Sequence, residues 1–130
     1  MKRLFLFCLV LFATLGVDAQ SYRVGQKLVC TGDNVNVRTG PGKNHRVYLM
    51  KEGCPICDGK DRSCYMCEWA KNKKFQLMKG EGRGKCDEGE WEIIYQGKSR
   101  NGFLYVSIFE CVEGYGVVGW VSSQYLRPIY

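Results

Sequence analysis

Val35 and Val37 alternate with Asn36 and Arg38, the two-residue period of a strand with one face buried. Gly40-Pro41-Gly42 ends this run, because glycine supplies positive φ and proline fixes φ and lacks an N–H donor. The chain resumes apolar at Val47-Tyr48-Leu49-Met50. A second group of strands is expected late in the chain. Trp91-Glu92-Ile93-Ile94-Tyr95 is followed by Asn101-Gly102, a hairpin turn signal, and then by Phe103-Leu104-Tyr105-Val106-Ser107-Ile108. Val117-Val118-Gly119-Trp120-Val121 reads as the next strand, with Ser122 to Leu126 as a short turn leading out. The pattern predicts an all-β chain.

Two of these stretches carry a resemblance. Asn34-Val35-Asn36-Val37-Arg38-Thr39-Gly40-Pro41-Gly42 and Gly119-Trp120-Val121-Ser122-Ser123-Gln124-Tyr125-Leu126 resemble the opening and closing strands of the bacterial SH3-type (Src-homology-3-like) domain family. The resemblance covers about residues 24–53 and 91–128. It implies a small SH3-like barrel of exported and wall-associated proteins, a fold that binds more than it catalyses. The stretch from 54 to about 89 departs from the family and reads as an irregular cysteine-rich insertion.

The start of the chain follows another pattern. Lys2 and Arg3 precede an apolar run from Leu4 to Leu15 that is short for a bilayer span, and small or modest residues follow at Val17-Asp18-Ala19. Residues 1–19 read as a secretion signal cut before Gln20, leaving residues 20–130 as one domain, exported and periplasmic or secreted. No later stretch is apolar enough for a transmembrane segment. Removing Lys2, Arg3 and Asp18 takes the net charge from +6 to +5, which favours loose contact with anionic surfaces. The aromatics are interleaved with strands and not with basic residues, which argues against nucleic acid.

Of eight cysteines, Cys8 lies in the signal, leaving Cys30, Cys54, Cys57, Cys64, Cys67, Cys86 and Cys111. Cys30 stands in register with Leu28 and reads as a core residue. Cys54, Cys57, Cys64 and Cys67 have the spacing C-x2-C-x6-C-x2-C, which two chemistries can use. In an oxidising compartment cysteines at this density form disulfides, and a bridge closing a 15-residue loop contributes about 3 kcal/mol. This is the preferred reading, and it needs no cofactor. The alternative is zinc, which takes four thiolates in a tetrahedron, with the turn Asp58-Gly59-Lys60-Asp61 bringing two C-x2-C knuckles together. Cys54-Pro55-Ile56-Cys57 also looks like a thiol-oxidoreductase motif, but no helical run follows it to lower a thiol pKa. Cys86 with Cys111 is the first pair to expect as a bridge, since a hairpin lies between them.

Nothing in the chain assembles an enzyme. The single histidine, His45, has no nucleophile assigned beside it, and Asp87, Glu88, Glu90 and Glu92 read as solvated surface. Gly80–Gly84 lacks the strand and helix that a phosphate loop needs and reads as a mobile loop. Trp120, Tyr125, Phe103 and Tyr105 are expected to fill a barrel interior. By resemblance to the family, Tyr48, Tyr105, Trp120 and Tyr125 are candidate ligand-binding residues, with Asn36 and Arg38 as a polar rim. The function expected is non-catalytic binding of a cell-envelope ligand, a peptide or peptidoglycan stem peptide, or of an envelope protein. Two alternatives stand beside it: an exported zinc-binding module, and a disulfide-stapled interaction factor such as an inhibitor or effector.

Overall fold

Strand formation follows the apolar alternation closely in the C-terminal half. The computed structural model describes residues 22–84 and 91–129, and the expected signal (1–19), Cys86, Asp87, Glu88 and Glu90 lie outside the described residues. In chain order the strands are β1 (Leu28–Cys30), β2 (Val35–Asn36), β3 (Gln76–Leu77), β4 (Trp91–Arg100), β5 (Phe103–Glu110), β6 (Gly116–Ser122) and β7 (Leu126–Pro128). A five-residue helix, α1, spans Tyr65–Trp69, and 3-10 turns occupy Met50–Gly53 and Ser123–Tyr125.

β4, β5 and β6 form an antiparallel meander. The expected turn closes its first hairpin: Asn101 and Gly102 both take positive φ, 54° and 78°, the left-handed pair that matches the twist of the flanking strands. The register slips between Tyr95 and Ser99, a bulge beyond which Gln96–Arg100 stand exposed. On β5, Leu104, Val106 and Ile108 point into the core, and Val121 of β6 joins them. Tyr105 and Trp120 face each other on the opposite surface of the same strands, their rings 5.0 Å apart. The expectation that these two rings fill an interior is thereby corrected. They are out of phase with the core residues by one position, and both are only half-buried.

β7 returns to pair with β1, Cys30 opposite Leu126, an interaction the reading of Ser122–Leu126 as a simple exit missed. The opening and closing motifs also meet, since Arg38 bridges Trp120 through reciprocal backbone hydrogen bonds of 2.9 Å. Among the described residues the strands divide into three sheets and close no barrel, so the molecule is mostly β with small sheets. The expected strand at Val47–Met50 is reduced to isolated bridges, Arg38 with Val47 and Leu49 with Lys74, before the 3-10 turn begins.

The insertion is smaller than the sequence implies. Phe75 and Leu77 are fully buried in the main core, and β3 pairs with β2. The Phe75 backbone bonds to Val37 and Tyr48, threading this segment between two expected barrel strands. Gly80–Gly84 is likewise not a free loop. The Gly80 N–H donates to the Cys30 carbonyl and the Cys30 N–H to the Glu81 carbonyl, each at 2.8 Å, which lays the glycine-rich stretch along β1. What stands apart from the core is the cysteine lobe between Gly53 and Lys73. No helix among the described residues is long and apolar enough to cross a membrane.

Candidate metal centre

The first knuckle is built by a turn. The Cys54 carbonyl accepts from Asp58 N–H at 3.1 Å and the Cys57 carbonyl from Lys60 N–H at 3.0 Å. Asp58 and Gly59 sit at positive φ, and a Cβ on residue 59 would lie 2.9 Å from the Lys51 carbonyl oxygen, so the turn needs glycine there. Asp61 then starts the second half. Its Oδ1 accepts from the Ser63 N–H at 2.9 Å and from the Ser63 hydroxyl at 2.7 Å, bonds that hold its carboxyl pKa below the ordinary value. Cys64 follows at the N-cap position of α1 and Cys67 sits within its single turn. The second pair is therefore set by helical geometry, the first by a tight turn.

Together these devices bring the four Sγ atoms of Cys54, Cys57, Cys64 and Cys67 within 4.8 Å of one another. Cys54 and Cys64 are 3.8 Å apart, and Cys57 and Cys67 3.1 Å. A tetrahedron with zinc–sulfur arms of about 2.3 Å has edges of about 3.8 Å, so a small opening of the second pair gives the spacing zinc requires. All four are free thiols, as is buried Cys30 in the core. The disulfides of the preferred sequence reading are thus not formed among these four, and the arrangement fits the zinc alternative. The separations exceed a disulfide bond, and the sulfurs converge on one point as a ligand set. Cys111 is disulfide-bonded, while its expected partner Cys86 lies outside the described residues.

The site's electrostatics already favour a thiolate. The Cys57 pKa is lowered to about 6, first by its contact with the Cys67 thiol and then by backbone hydrogen bonds at Asp61 and Gly59. Cys67 moves up, because it holds the proton that the pair shares. Beneath the cluster Tyr115 is buried, its hydroxyl donating to the Met66 carbonyl at 2.6 Å. Burial, ahead of the nearby Cys54, pushes the Tyr115 pKa up to about 12. Trp69 leans on Tyr115 at 5.6 Å, with the Lys73 ammonium 3.7 Å from the indole centroid. At the neck, Gly53 packs against the Gly116 backbone so closely that a Cβ would come within 2.7 Å of its carbonyl oxygen.

The other candidate residues divide among three places. Asn36, Arg38 and Tyr125 line one cleft of about 200 Å³ with Lys43 and Phe103. Arg38 also donates to the carbonyls of Lys43 and His45, and Asn36 accepts from Gln76. Tyr48 lies elsewhere, under Arg46 at 5.8 Å, and Tyr105 pairs with Trp120 away from the cleft. The sequence reading missed the helix α1, and Tyr115 as a part of the cysteine lobe. Asp61-x-Ser63 was the available sign of a helix start, and a five-residue helix has no periodicity to display. No protein-family model, no curated protein and no solved structure matches the chain.

Proposed function

We propose that this chain is a non-catalytic binding module in which an SH3-like β frame carries a lobe clasped by a structural zinc ion on Cys54, Cys57, Cys64 and Cys67. The observation that carries the zinc reading is the convergence of four free sulfurs within 4.8 Å. A tetrahedral all-cysteine set leaves no position for water or substrate, which is the chemistry of a structural site and not of a catalytic one. The lobe's buried members besides the cysteines are Ala70 and Tyr115, too few to fix its backbone by apolar burial. The SH3-like reading of the frame is supported by the bridge between Arg38 and Trp120, which joins the two motifs that carry the resemblance.

Metal analysis of protein purified without chelator tests this. One zinc per chain, lost on Cys54→Ser, is the expected result. Reduced, folded protein free of metal would sink it, and iron in the same stoichiometry would replace the ion while keeping the clasp.

We propose further that the module is exported and binds a cell-envelope ligand, with the cleft as the site of contact. Arg38 and Lys43 make no ion pair among the described residues, and Tyr125 stands beside them as an exposed ring. Asp33 also lines the cleft, its carboxylate accepting from the Lys79 N–H at 3.3 Å, and a wall peptide bearing a carboxylate would meet the cations and aromatic face on the Arg38, Lys43 and Tyr125 side. Binding to purified wall sacculi, weakened by Tyr125→Ala, is the expected outcome; equal binding by the variant would remove the cleft from the proposal.

A further inference from the structure

The four sulfurs are not equivalent. Two contacts run across the lobe, Cys57 to Cys67 at 3.1 Å and Cys54 to Cys64 at 3.8 Å, each joining residues ten apart. Neither of these lies within a C-x2-C unit; Cys67 also interacts with Cys54 and Cys64, and Cys57 with Cys64, but for both Cys57 and Cys67 the partner with the largest effect is the other of that pair. Cys54, Cys64 and Cys67 are buried, whereas Cys57 is half-exposed. A solvent-borne oxidant therefore meets Cys57 first, with Cys67 next to it.

We propose that the cluster is an oxidant modification site, at which a hydroperoxide converts the four thiols into two defined cross-links, Cys57–Cys67 and then Cys54–Cys64. The Cys57 thiolate attacks one peroxide oxygen. The attack is on the terminal O–H oxygen: a sulfur–oxygen bond forms, the oxygen–oxygen bond breaks, and the alkoxide, which is hydroxide from hydrogen peroxide, leaves and is protonated to the alcohol or water. The Cys67 thiolate then attacks the sulfenic sulfur. A sulfur–sulfur bond forms, the sulfur–oxygen bond breaks, and hydroxide leaves. Two electrons pass from the pair of cysteines to one hydroperoxide, and a second hydroperoxide serves Cys54 and Cys64 in the same way. Disulfide sulfur does not hold zinc as thiolate does, so an ion bound by these residues is released as the dication.

Both bonds need closures of about 1–2 Å to reach the disulfide length. The Asp58–Lys60 turn and α1 survive such shifts, so the lobe exchanges one clasp for another without unfolding. An exported domain would keep its lobe in either redox condition. The displacement of metal rests on the zinc reading above; the pairing of cysteines does not.

The test uses the mature chain, reduced, with its metal content measured and then treated with hydrogen peroxide. Cross-links are mapped by tryptic and chymotryptic digestion, cutting after Tyr65 to part Cys64 from Cys67, with tandem fragmentation. Metal release is followed with a chromogenic chelator. The expected result is the Cys57–Cys67 link first and Cys54–Cys64 second, with the bound ion released and the lobe still resistant to trypsin. Cys67→Ser should leave a sulfenic acid on Cys57 that dimedone traps, with little trapping in the wild type. Links within either C-x2-C, crossed Cys54–Cys67 and Cys57–Cys64 links, or first oxidation elsewhere would overturn the proposal. Protein that carries no metal yet forms the two stated links would refute the zinc reading and leave the modification site standing.

Discussion

The β frame and the cysteine lobe stabilise themselves by different means. The frame buries Leu28, Phe75, Leu77, Ile93, Val106 and Ile108 almost completely and pairs its strands over long sequence distances. The lobe buries three of its cysteines with Ala70 and Tyr115, and leaves Ile56, Tyr65 and Trp69 exposed. Ordering each residue costs about 1–2 kcal/mol of conformational entropy, which the frame offsets with apolar area and the lobe cannot. One region therefore depends on water being excluded, the other, on the zinc reading proposed above, on four sulfurs sharing a ligand. Met50 packs against both clusters and its N–H donates to the Lys73 carbonyl at 2.8 Å, so the neck between them is short and closed.

Removing the proposed metal should separate the two regions most sharply. Structural zinc sites in small domains contribute about 10–16 kcal/mol of apparent binding free energy, which is folding free energy for the segment they hold. A strong chelator on reduced protein should open the lobe to trypsin at Lys60, Arg62 and Lys71 while the frame keeps a cooperative melt. A digest unchanged by chelator would mean that the lobe is held by packing against Tyr115 and Gly116 alone. Frame and lobe melting together would make them one cooperative unit.

The converse substitution is Ile93→Ala. Ile93 is fully buried in the frame, and truncating such a side chain costs about 2–5 kcal/mol through lost transfer energy and the cavity left behind. The frame's melting temperature should fall while the metal stoichiometry holds. Loss of metal in a variant that is still folded would show that the frame preorganises the lobe.

The difference between the regions also explains what the sequence disclosed. β4, β5 and β6 were legible because alternation over five or more residues and an Asn-Gly turn state their period and register locally. β7 and β3 were not, since two or three residues show no period, and their pairing with β1 and β2 is decided by distant partners. Phe75 and Leu77 looked like parts of a charged insertion because Lys71, Lys73, Lys74 and Lys79 surround them. In the candidate site, the four cysteines and the Asp58-Gly59 turn were visible as a spacing. The closeness of the four sulfurs was not, because it depends on where α1 aims Cys64 and Cys67. Tyr115 was invisible as a lobe residue, lying 48 positions beyond Cys67 in the chain.

Trp120→Ala is a smaller test of the frame. Trp120 is half-buried on the outer face, and its ring contact with Tyr105 is of a kind worth about 0.5–1.5 kcal/mol beyond area. A loss of about 1–2 kcal/mol is expected, well short of the cost of truncating a fully buried tryptophan, about 3–5 kcal/mol. Chemical denaturation of the variant measures it. A loss at the upper value would return Trp120 to the core that its apolar strand first implied.

The smallest effect concerns the lobe without metal. The Cys57 pKa falls from 9.0 to about 6, through its contact with Cys67 and the backbone N–H groups at Asp61 and Gly59. A thiol whose folded pKa is depressed contributes stability that is fully present above its unfolded value and is lost as pH falls through the folded one. The lobe should therefore lose this contribution steadily as pH falls from about 9 to about 6. Cys67 moves the other way, so its own contribution is intact up to about pH 9 and is lost only as pH rises above that, outside the window in which Cys57 changes. Cys57 is only partly buried, so solvent screening keeps the change in stability small, while its reactivity still follows its own ionisation. In reduced, metal-free protein near neutral pH, iodoacetamide should alkylate Cys57 ahead of Cys54, Cys64 and Cys67, with a midpoint near pH 6. The unfolded chain should show a midpoint near about 8.5 for every cysteine. Equal labelling of Cys57 and Cys67 in the folded protein would mean that the shared proton is not localised, and that the turn at Asp58–Asp61 does not prepare one thiolate ahead of the metal.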